Sequence, residues 1–381
     1  MNRSGVLAIA VAFAGFMAPA VYSGAGSDAA AFLKIDAGAR AAAMGGAFTA
    51  VGDDASSVFY NPAGPALADK NELMLSHSEW LEGLRHEQAA YIHPVTSRLT
   101  LFTGLTALII PPLDKLDAAG DKTGSFSAMD GAAGAGLSWA FDGGLSGGLF
   151  VKTVYQQADG RKAFAYAGDF GLVKTYGKAV RLGLAAQNLG TPMKLYNESF
   201  DLPRTYRGGA ACRVGEMGWL TAEIVKAGQS DLAIAAGAEG EYPFSLNETA
   251  FARLGFRTGR STNAGSGISA GAGLQSRNLR VDYAFSPFGD LGGTHRISLT
   301  LKFGKDRKAA APDRKDNVIN RNVAAPDRND NVINRNAVTP AQSPKRGSRN
   351  KAPKPALREK TGKAKKAAPA DKEYPPIYFM W

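Results

Sequence analysis

Cysteine is nearly absent from this chain. Its 381 residues hold one, Cys212, which rules out an intrachain disulfide framework and any multi-cysteine metal site. Histidine is almost as scarce: His77, His86, His93 and His295 are scattered, too few for a histidine-rich metal centre. After the N-terminal segment no run of about 18 uninterrupted apolar residues occurs, so no helical membrane span is expected there. Phosphate loops are missing too, since Gly177-Lys178 and Gly362-Lys363 are each followed by Ala. His86-Glu87 opens like a zinc-protease helix, but Ala90 stands where the second histidine belongs. Gly144-Leu-Ser-Gly-Gly148 and Gly267-Ile-Ser-Ala-Gly271 fit the serine-hydrolase elbow, which needs a strand-turn-helix setting that neither site offers. The expectation is a non-enzyme without cofactor or metal. A lipolytic role for Ser146 or Ser269 is the weakest alternative.

Charge is present but unevenly placed. The chain has 45 Lys+Arg and 34 Asp+Glu, a formal net charge of +11. Residues 305–381 hold 19 Lys+Arg and 8 Asp+Glu, leaving 26 of each (45 − 19 and 34 − 8) for residues 1–304. A neutral body thus carries a basic appendage, and the overall charge gives no reason to expect nucleic-acid binding by the fold. Apolar residues make up 45% of the chain, enough for a folded body, and its 45 glycines follow no collagen-like period.

The N-terminus reads as an export signal. Arg3 precedes an apolar run over residues 6–17, and the small residues Ala18, Ala20, Ser23 and Ala25 follow. That order predicts a secretory signal peptide over residues 1–23. An uncleaved anchor helix would need about 20 apolar residues, more than this run supplies. An exported chain without helical spans is either soluble or a barrel.

Residues 71–304 break into segments of about ten residues, the length of a tilted strand crossing a bilayer. The last one alternates without a lapse. Ile297, Leu299, Leu301 and Phe303 share one face, and Arg296, Ser298, Thr300 and Lys302 share the other. About fourteen such segments can be counted, an even number as single-chain bacterial barrels require. Short links over residues 94–97, 142–144, 176–177, 215–217 and 276–277 alternate with longer ones, above all 109–128 and 189–202. The fold predicted is all-β, a transmembrane up-and-down antiparallel barrel closed by Ile297, Leu299, Leu301 and Phe303. Arg181, Glu239, Arg280, Asp282 and Arg296 are assigned to its polar lumen. A water-soluble β-sandwich alternates in the same way. Glycine ordinarily weakens a strand. Gly134, Gly136, Gly147, Gly148, Gly208 and Gly209 therefore suggest that something packs against the wall from inside, or that the wall bends.

Residues 24–70 read as a plug. From residue 31 the alternation is lost and Ala and Gly dominate, with a turn fixed by Asn61-Pro62. Small residues let a folded-back segment sit in a confined space; Asp53 and Asp54 then either pair with lumen arginines or lie exposed in a turn.

Ala39-Arg40-Ala41, Met44-Gly45-Gly46-Ala47, Asp53-Asp54-Ala55 and Asn61-Pro62-Ala63-Gly64 together resemble the N-terminal signature of the PorV/PorQ family, which is FadL-like. The stretch from Asp282-Tyr283-Ala284-Phe285 through Phe303 is similar to that family's final hairpin. The resemblance covers about residues 31–304. It implies an outer-membrane barrel of a diderm, Gram-negative-type bacterium, set among outer-membrane lipids with the help of the barrel-assembly machinery. It implies a hatch in which Arg40, Met44, Gly45, Gly46, Asp53, Asp54, Asn61, Pro62, Ala63 and Gly64 serve structure or ligand binding. Two roles come with it: a conduit or binding protein for hydrophobic small molecules, or an accessory of protein secretion that binds secretion-system proteins.

Residues 305–381 depart from that family. Ala310-Ala-Pro-Asp-Arg-Lys-Asp-Asn-Val-Ile-Asn-Arg-Asn322 recurs 14 residues later from Ala324 to Asn336, and a Lys/Pro/Ala run follows. The composition predicts a disordered tail. A plain solvated spacer is the favoured reading; the alternative is a periplasmic tail whose charge attracts anionic envelope polymers.

Overall fold

The computed structural model describes residues 28–195, 197–259 and 265–305. The expected signal peptide, and the tail from residue 306 with its repeat, lie outside the described residues.

Fourteen antiparallel strands form one closed barrel. They are β1 (Asn71–Glu79), β2 (Arg85–Pro94), β3 (Leu99–Leu116), β4 (Lys122–Ala140), β5 (Leu145–Ala158), β6 (Arg161–Tyr176) and β7 (Val180–Gly190). The second half comprises β8 (Thr205–Arg213), β9 (Gly218–Ala227), β10 (Ala233–Ser245), β11 (Glu248–Arg257), β12 (Ile268–Ser276), β13 (Leu279–Pro287) and β14 (Gly293–Phe303). Each strand pairs with its sequence neighbours, and β14 closes the ring on β1 in the register Asn71↔Phe303 to Glu79↔His295.

The two faces of the wall carry opposite chemistry. Leu75, Leu101, Leu105, Leu149, Phe170, Leu184, Leu254, Val281, Ile297, Leu299 and Leu301 point outward, each between 41% and 64% exposed. Glu72, Glu223, Glu239, Arg253, Arg280, Asp282 and Arg296 point inward and are at most 6% exposed. A water-soluble sandwich arranges its faces the other way, with apolar side chains between the sheets. A skin of leucine around a charged interior is the signature of a barrel in lipid. Among the described residues no helix is long and apolar enough to cross a membrane.

The barrel has two unlike rims. One, the turn rim, holds the start of β1, the end of β14 and the short turns after the even-numbered strands from β2 to β12. The other, the loop rim, carries the connections after the odd-numbered strands. Residues 109–128, expected to be a loop, are instead mostly strand. β3 runs on to Leu116 and β4 starts at Lys122, so only residues 117–121 form the tip. Along this ribbon the pairing shifts register between Ile110 and Leu113, across Pro111-Pro112. Proline has no N–H to give the ladder, which makes a bulge the natural outcome there. The link of residues 191–204 is a true loop, pinned by the Met193↔Phe200 bridge.

Residues 28–70 occupy the lumen as a chain of short elements: 3-10 turns at Ala31–Lys34, Ala55–Phe59 and Gly64–Leu67, and the helix α1 (Ala39–Ala43). Their polar partners lie around the circumference. Gln88 on β2 accepts from Gly38 N, Ser298 on β14 from Ala39 N, Ser269 on β12 from Gly45 N, and Glu223 on β9 from Thr49 N.

Candidate functional site

The hatch is seated by backbone contact with glycines in the wall. A Cβ on Gly148 (β5) would lie 1.9 Å from Pro62 O, and one on Gly255 (β11) 2.1 Å from Gly45 N. On Gly171 (β6) it would meet Asn61 Oδ1 at 1.9 Å, and on Gly183 (β7) Thr49 O at 2.4 Å. Of the six glycines named from the sequence, Gly148 holds the hatch in this way. Gly134 and Gly136 instead abut cross-strand backbone, Val151 O and Leu149 O, and Gly147 faces the ring of Phe141 and a methyl group of Leu172 on the outer side.

The two hatch motifs have clear local reasons. Gly45 and Gly46 both have positive φ, 67° and 76°, a conformation that L side chains rarely adopt. They end α1, with Gly46 N returning to Ala41 O at 2.9 Å, while Met44 is fully buried beside Phe48. In Asn61-Pro62-Ala63-Gly64, Asn61 Nδ2 donates to Thr49 O (2.9 Å) and Leu172 O (3.1 Å), and its Oδ1 accepts from Ala63 N (3.0 Å). Gly64 is needed because a Cβ there would sit 2.5 Å from Gly52 O.

A closed circuit of charges ties this segment to the wall. Arg40 of α1 grips Glu239 with two bonds, Nε to Oε2 at 2.7 Å and Nη2 to Oε1 at 2.6 Å. Glu239 also accepts from Arg253 Nε at 2.6 Å, and Arg253 Nη1 reaches Asp282 at 2.8 Å. Asp282 then accepts from Arg280 Nε at 2.9 Å, Arg280 bonds Asp54, and Asp54 returns to Arg40 at 2.8 Å. A spur leads from Arg40 to Asp53 (2.7 Å) and on to Arg181 (3.1 Å), whose Nη1 also donates to Val51 O. Four guanidiniums meet four carboxylates, so the cluster is neutral. Burial alone would raise both hatch aspartates. The guanidiniums outweigh it, with Arg40 and Arg181 holding Asp53 at about 2 and Arg280 and Arg40 holding Asp54 lower still. Burial opposes the charge on Arg40, but Glu239, Asp53 and Asp54 raise its pKa well above the ordinary value.

Arg181, Glu239, Arg280 and Asp282 thus come together with Arg40, Asp53 and Asp54. Arg296 does not join them. Its Nε and Nη2 are buried without a hydrogen-bond partner among the described residues, and its guanidinium lies 5.9 Å from the Trp80 ring. Arg253 and Glu223 are not among the lumen residues assigned from the sequence. Arg253 is the link that closes the circuit, and Glu223 pairs with Arg207 at 2.7 Å. Their inward parity was the available signal.

The open space lies elsewhere. A cavity of about 540 Å³ sits under the loop rim, between hatch residues 28–34 and the inner wall of β3, β4 and β5, with the residue 191–204 link across it. Phe32, Leu108, Ile110, Ala128 and Met193 make its lining mainly apolar; Asp28, Lys34, Asp130 and Glu198 are its ionisable groups. A smaller hole of about 50 Å³ lies deeper, beside Tyr60 and Phe150, and Phe32 belongs to the walls of both. None of the ten hatch positions singled out from the sequence borders either space. They anchor the hatch, and the cavity is built by residues that the motifs did not mark.

Ser269 Oγ is engaged with Gly45 N and Ala43 O, and Ser146 lies on β5 with no helix after it. The histidines pair elsewhere: His77 with Glu87, His86 with Thr106, His93 with Asn71 and His295 with Tyr283. Among the described residues no group of three or more His, Cys, Asp or Glu is placed to hold a metal.

Comparison with known proteins agrees with this architecture. The fold is similar to the P. putida toluene transporter TodX (TM-score 0.51, 13% identity, covering 70% of this chain and 99% of that one). It is also similar to a deltaS2 mutant of the TodX monoaromatic hydrocarbon channel (TM-score 0.53, 13% identity, 70% and 99% covered) and to the CymD monoaromatic hydrocarbon channel (0.50, 11%, 71% and 98%). At such identities the likeness is one of fold. A search of curated proteins finds no match. The model of an uncharacterised protein family, UPF0164, matches residues 9–205, slightly more than half of the chain and including the hatch and the first seven strands; the chain belongs to that family.

Proposed function

We propose that this protein is an outer-membrane conduit for hydrophobic small molecules, with the cavity under the loop rim as its entry site and the hatch as its plug. The observation that carries this is the cavity itself. A space of about 540 Å³ with a mostly apolar lining falls within the size range of small-molecule sites. It opens at the rim that would face outside if the turn rim, with β1's start and β14's end, faces the periplasm. That orientation would also put the basic tail in the periplasm. The TodX and CymD likeness supports the fold such a role needs, and the PorV/PorQ-like end motifs point to the same FadL-like architecture. No chemistry on the substrate is required, consistent with a non-enzymatic role.

Phe32 is the residue between the two spaces, so passage inward has to move it. Uptake of a hydrophobic probe by cells is expected to fall when the gene is deleted and to rise when Phe32→Ala replaces the native chain. Uptake that is unchanged by deletion would refute the conduit. The PorV-type alternative, an accessory of secretion, draws on the same motifs and on the β3–β4 ribbon that extends toward residues 117–121. Crosslinking at that ribbon recovers protein partners if it is right, and only lipid and lipopolysaccharide if it is not.

A further inference from the structure

The charges that line the cavity do not balance. Of its four ionisable groups, Lys34 is already committed, with Nζ 3.2 Å from Asp28 and 3.4 Å from Ser230 Oγ. Asp28 in turn also accepts from Gln229 N. This leaves Asp130 and Glu198, and among the described residues neither forms an ion pair with Lys or Arg. Glu198 is exposed at the mouth, in the link of residues 191–204. Asp130 is further in, on β4, where its cross-strand neighbours are Leu108 on β3 and Gln156 on β5. Among the described residues Gln156 is the one side chain that offers it a hydrogen bond. The Oε1 of that residue is occupied by Ala30 N at 3.1 Å, which leaves its amide N–H groups to face the carboxylate.

A carboxylate has about four acceptor positions. In an apolar enclosure, unfilled ones are costly unless a donor or a cation arrives. A ligand entering beside Asp130 therefore gains most if its polar end donates hydrogen bonds or carries positive charge. A ligand ending in its own carboxylate brings a second anion into the same low-dielectric space, where among the described residues the lining offers no free cation to receive it.

We propose that the cavity selects hydrophobic molecules with a cationic or hydrogen-bond-donating head group, discriminates against carboxylates, and owes this preference to Asp130. This rests on the conduit reading above.

The test uses the full-length protein in detergent micelles at pH 8. Three amphiphiles with one tail, dodecylamine, dodecan-1-ol and dodecanoate, displace a bound fluorescent reporter, N-phenyl-1-naphthylamine. Concentrations are corrected for partition into protein-free micelles. The amine and the alcohol are expected to displace the reporter at concentrations about tenfold lower than dodecanoate, equivalent to about 1.4 kcal/mol. Asp130→Asn keeps the side-chain shape and removes the charge. It is expected to bring dodecanoate to within about threefold of the alcohol. Glu198→Gln, at the mouth, should move the ratio less. Dodecanoate binding as tightly as the alcohol, or a ratio unaltered by Asp130→Asn, would overturn the selectivity and leave the conduit standing. A protein that binds neither the reporter nor any of the three would bring down both.

Discussion

At the scale of single residues, the charge circuit behaves unlike an assortment of surface pairs. Exposed ion pairs contribute about 0–1 kcal/mol each, whereas removing one partner of a buried pair typically costs about 3–5 kcal/mol because the other charge is left stranded. Arg40 holds three carboxylates at once. Arg40→Met is therefore expected to destabilise hatch docking by at least about 3 kcal/mol, read as proteolytic cleavage within residues 28–70 that the native protein resists. The sign of the pH dependence follows from the two aspartates. Their folded pKa values lie below the unfolded value of about 3.9, so the stability they add is complete above that pH and fades as pH falls through about 2. Docking should be flat from pH 8 to pH 5 and weaken only below about 4. Trp219 shares a cluster with Phe48 and Ala50 of the hatch, so the fluorescence difference between the protein and its Trp219→Phe variant reports this directly. A transition near pH 6 would contradict the assignment. Arg296 is the converse case. Because it forms no ion pair among the described residues, Arg296→Met strands no carboxylate and, after the loss of its contact with the Trp80 ring, is expected to raise resistance to denaturant by about 1 kcal/mol.

At the scale of elements, glycine and proline carry most of the positional information. The hatch can lie on the wall because β5, β6, β7 and β11 each present a glycine where it touches, and a substitution there tests the docking without breaking a charge pair. Gly255→Val is expected to expel the hatch while the barrel still assembles, seen as retained heat-modifiable migration together with new protease sensitivity in residues 28–70. Gly147→Val, on the outer face, is the control that should change neither. The sequence pointed to an inner object against the wall, but it marked the wrong glycines more often than the right one. Glycine in a strand has several causes, and Gly134 and Gly136 answer to cross-strand crowding instead. The β3–β4 ribbon was misread for a related reason. Between residues 113 and 127 neither face is buried, so no continuous apolar stripe marks the strands although the pairing continues.

At the scale of the whole molecule, the barrel was legible because lipid and lumen impose opposite chemistry on alternate residues, and β14 records that without error. The circuit was only half legible. Parity places Arg40's partners on the inner face, but nothing local says that Glu239, 199 residues away, meets Arg40 and not another cation. The cavity was not legible, because it arises where the hatch's first described residues, three strands and a rim link converge, and none of these carries a motif. Together these features describe a wall whose bore is filled. Hatch backbone lies against wall glycines, a neutral cluster of four arginines and four carboxylates spans the interior, and the deeper hole amounts to about 50 Å³. A barrel of fourteen strands is wide enough to conduct ions if its lumen is empty. The intact protein in a planar bilayer is therefore expected to show no steady ionic current. A variant lacking residues 39–67, which removes α1, Asp53, Asp54 and Asn61 together, should open a continuous pore. Glu239, Asp282, Arg181, Arg253 and Arg280 would then line a wet channel with both signs exposed, so the current should show little preference between cations and anions. A strong current from the intact protein would mean that the hatch leaves a path that this packing denies.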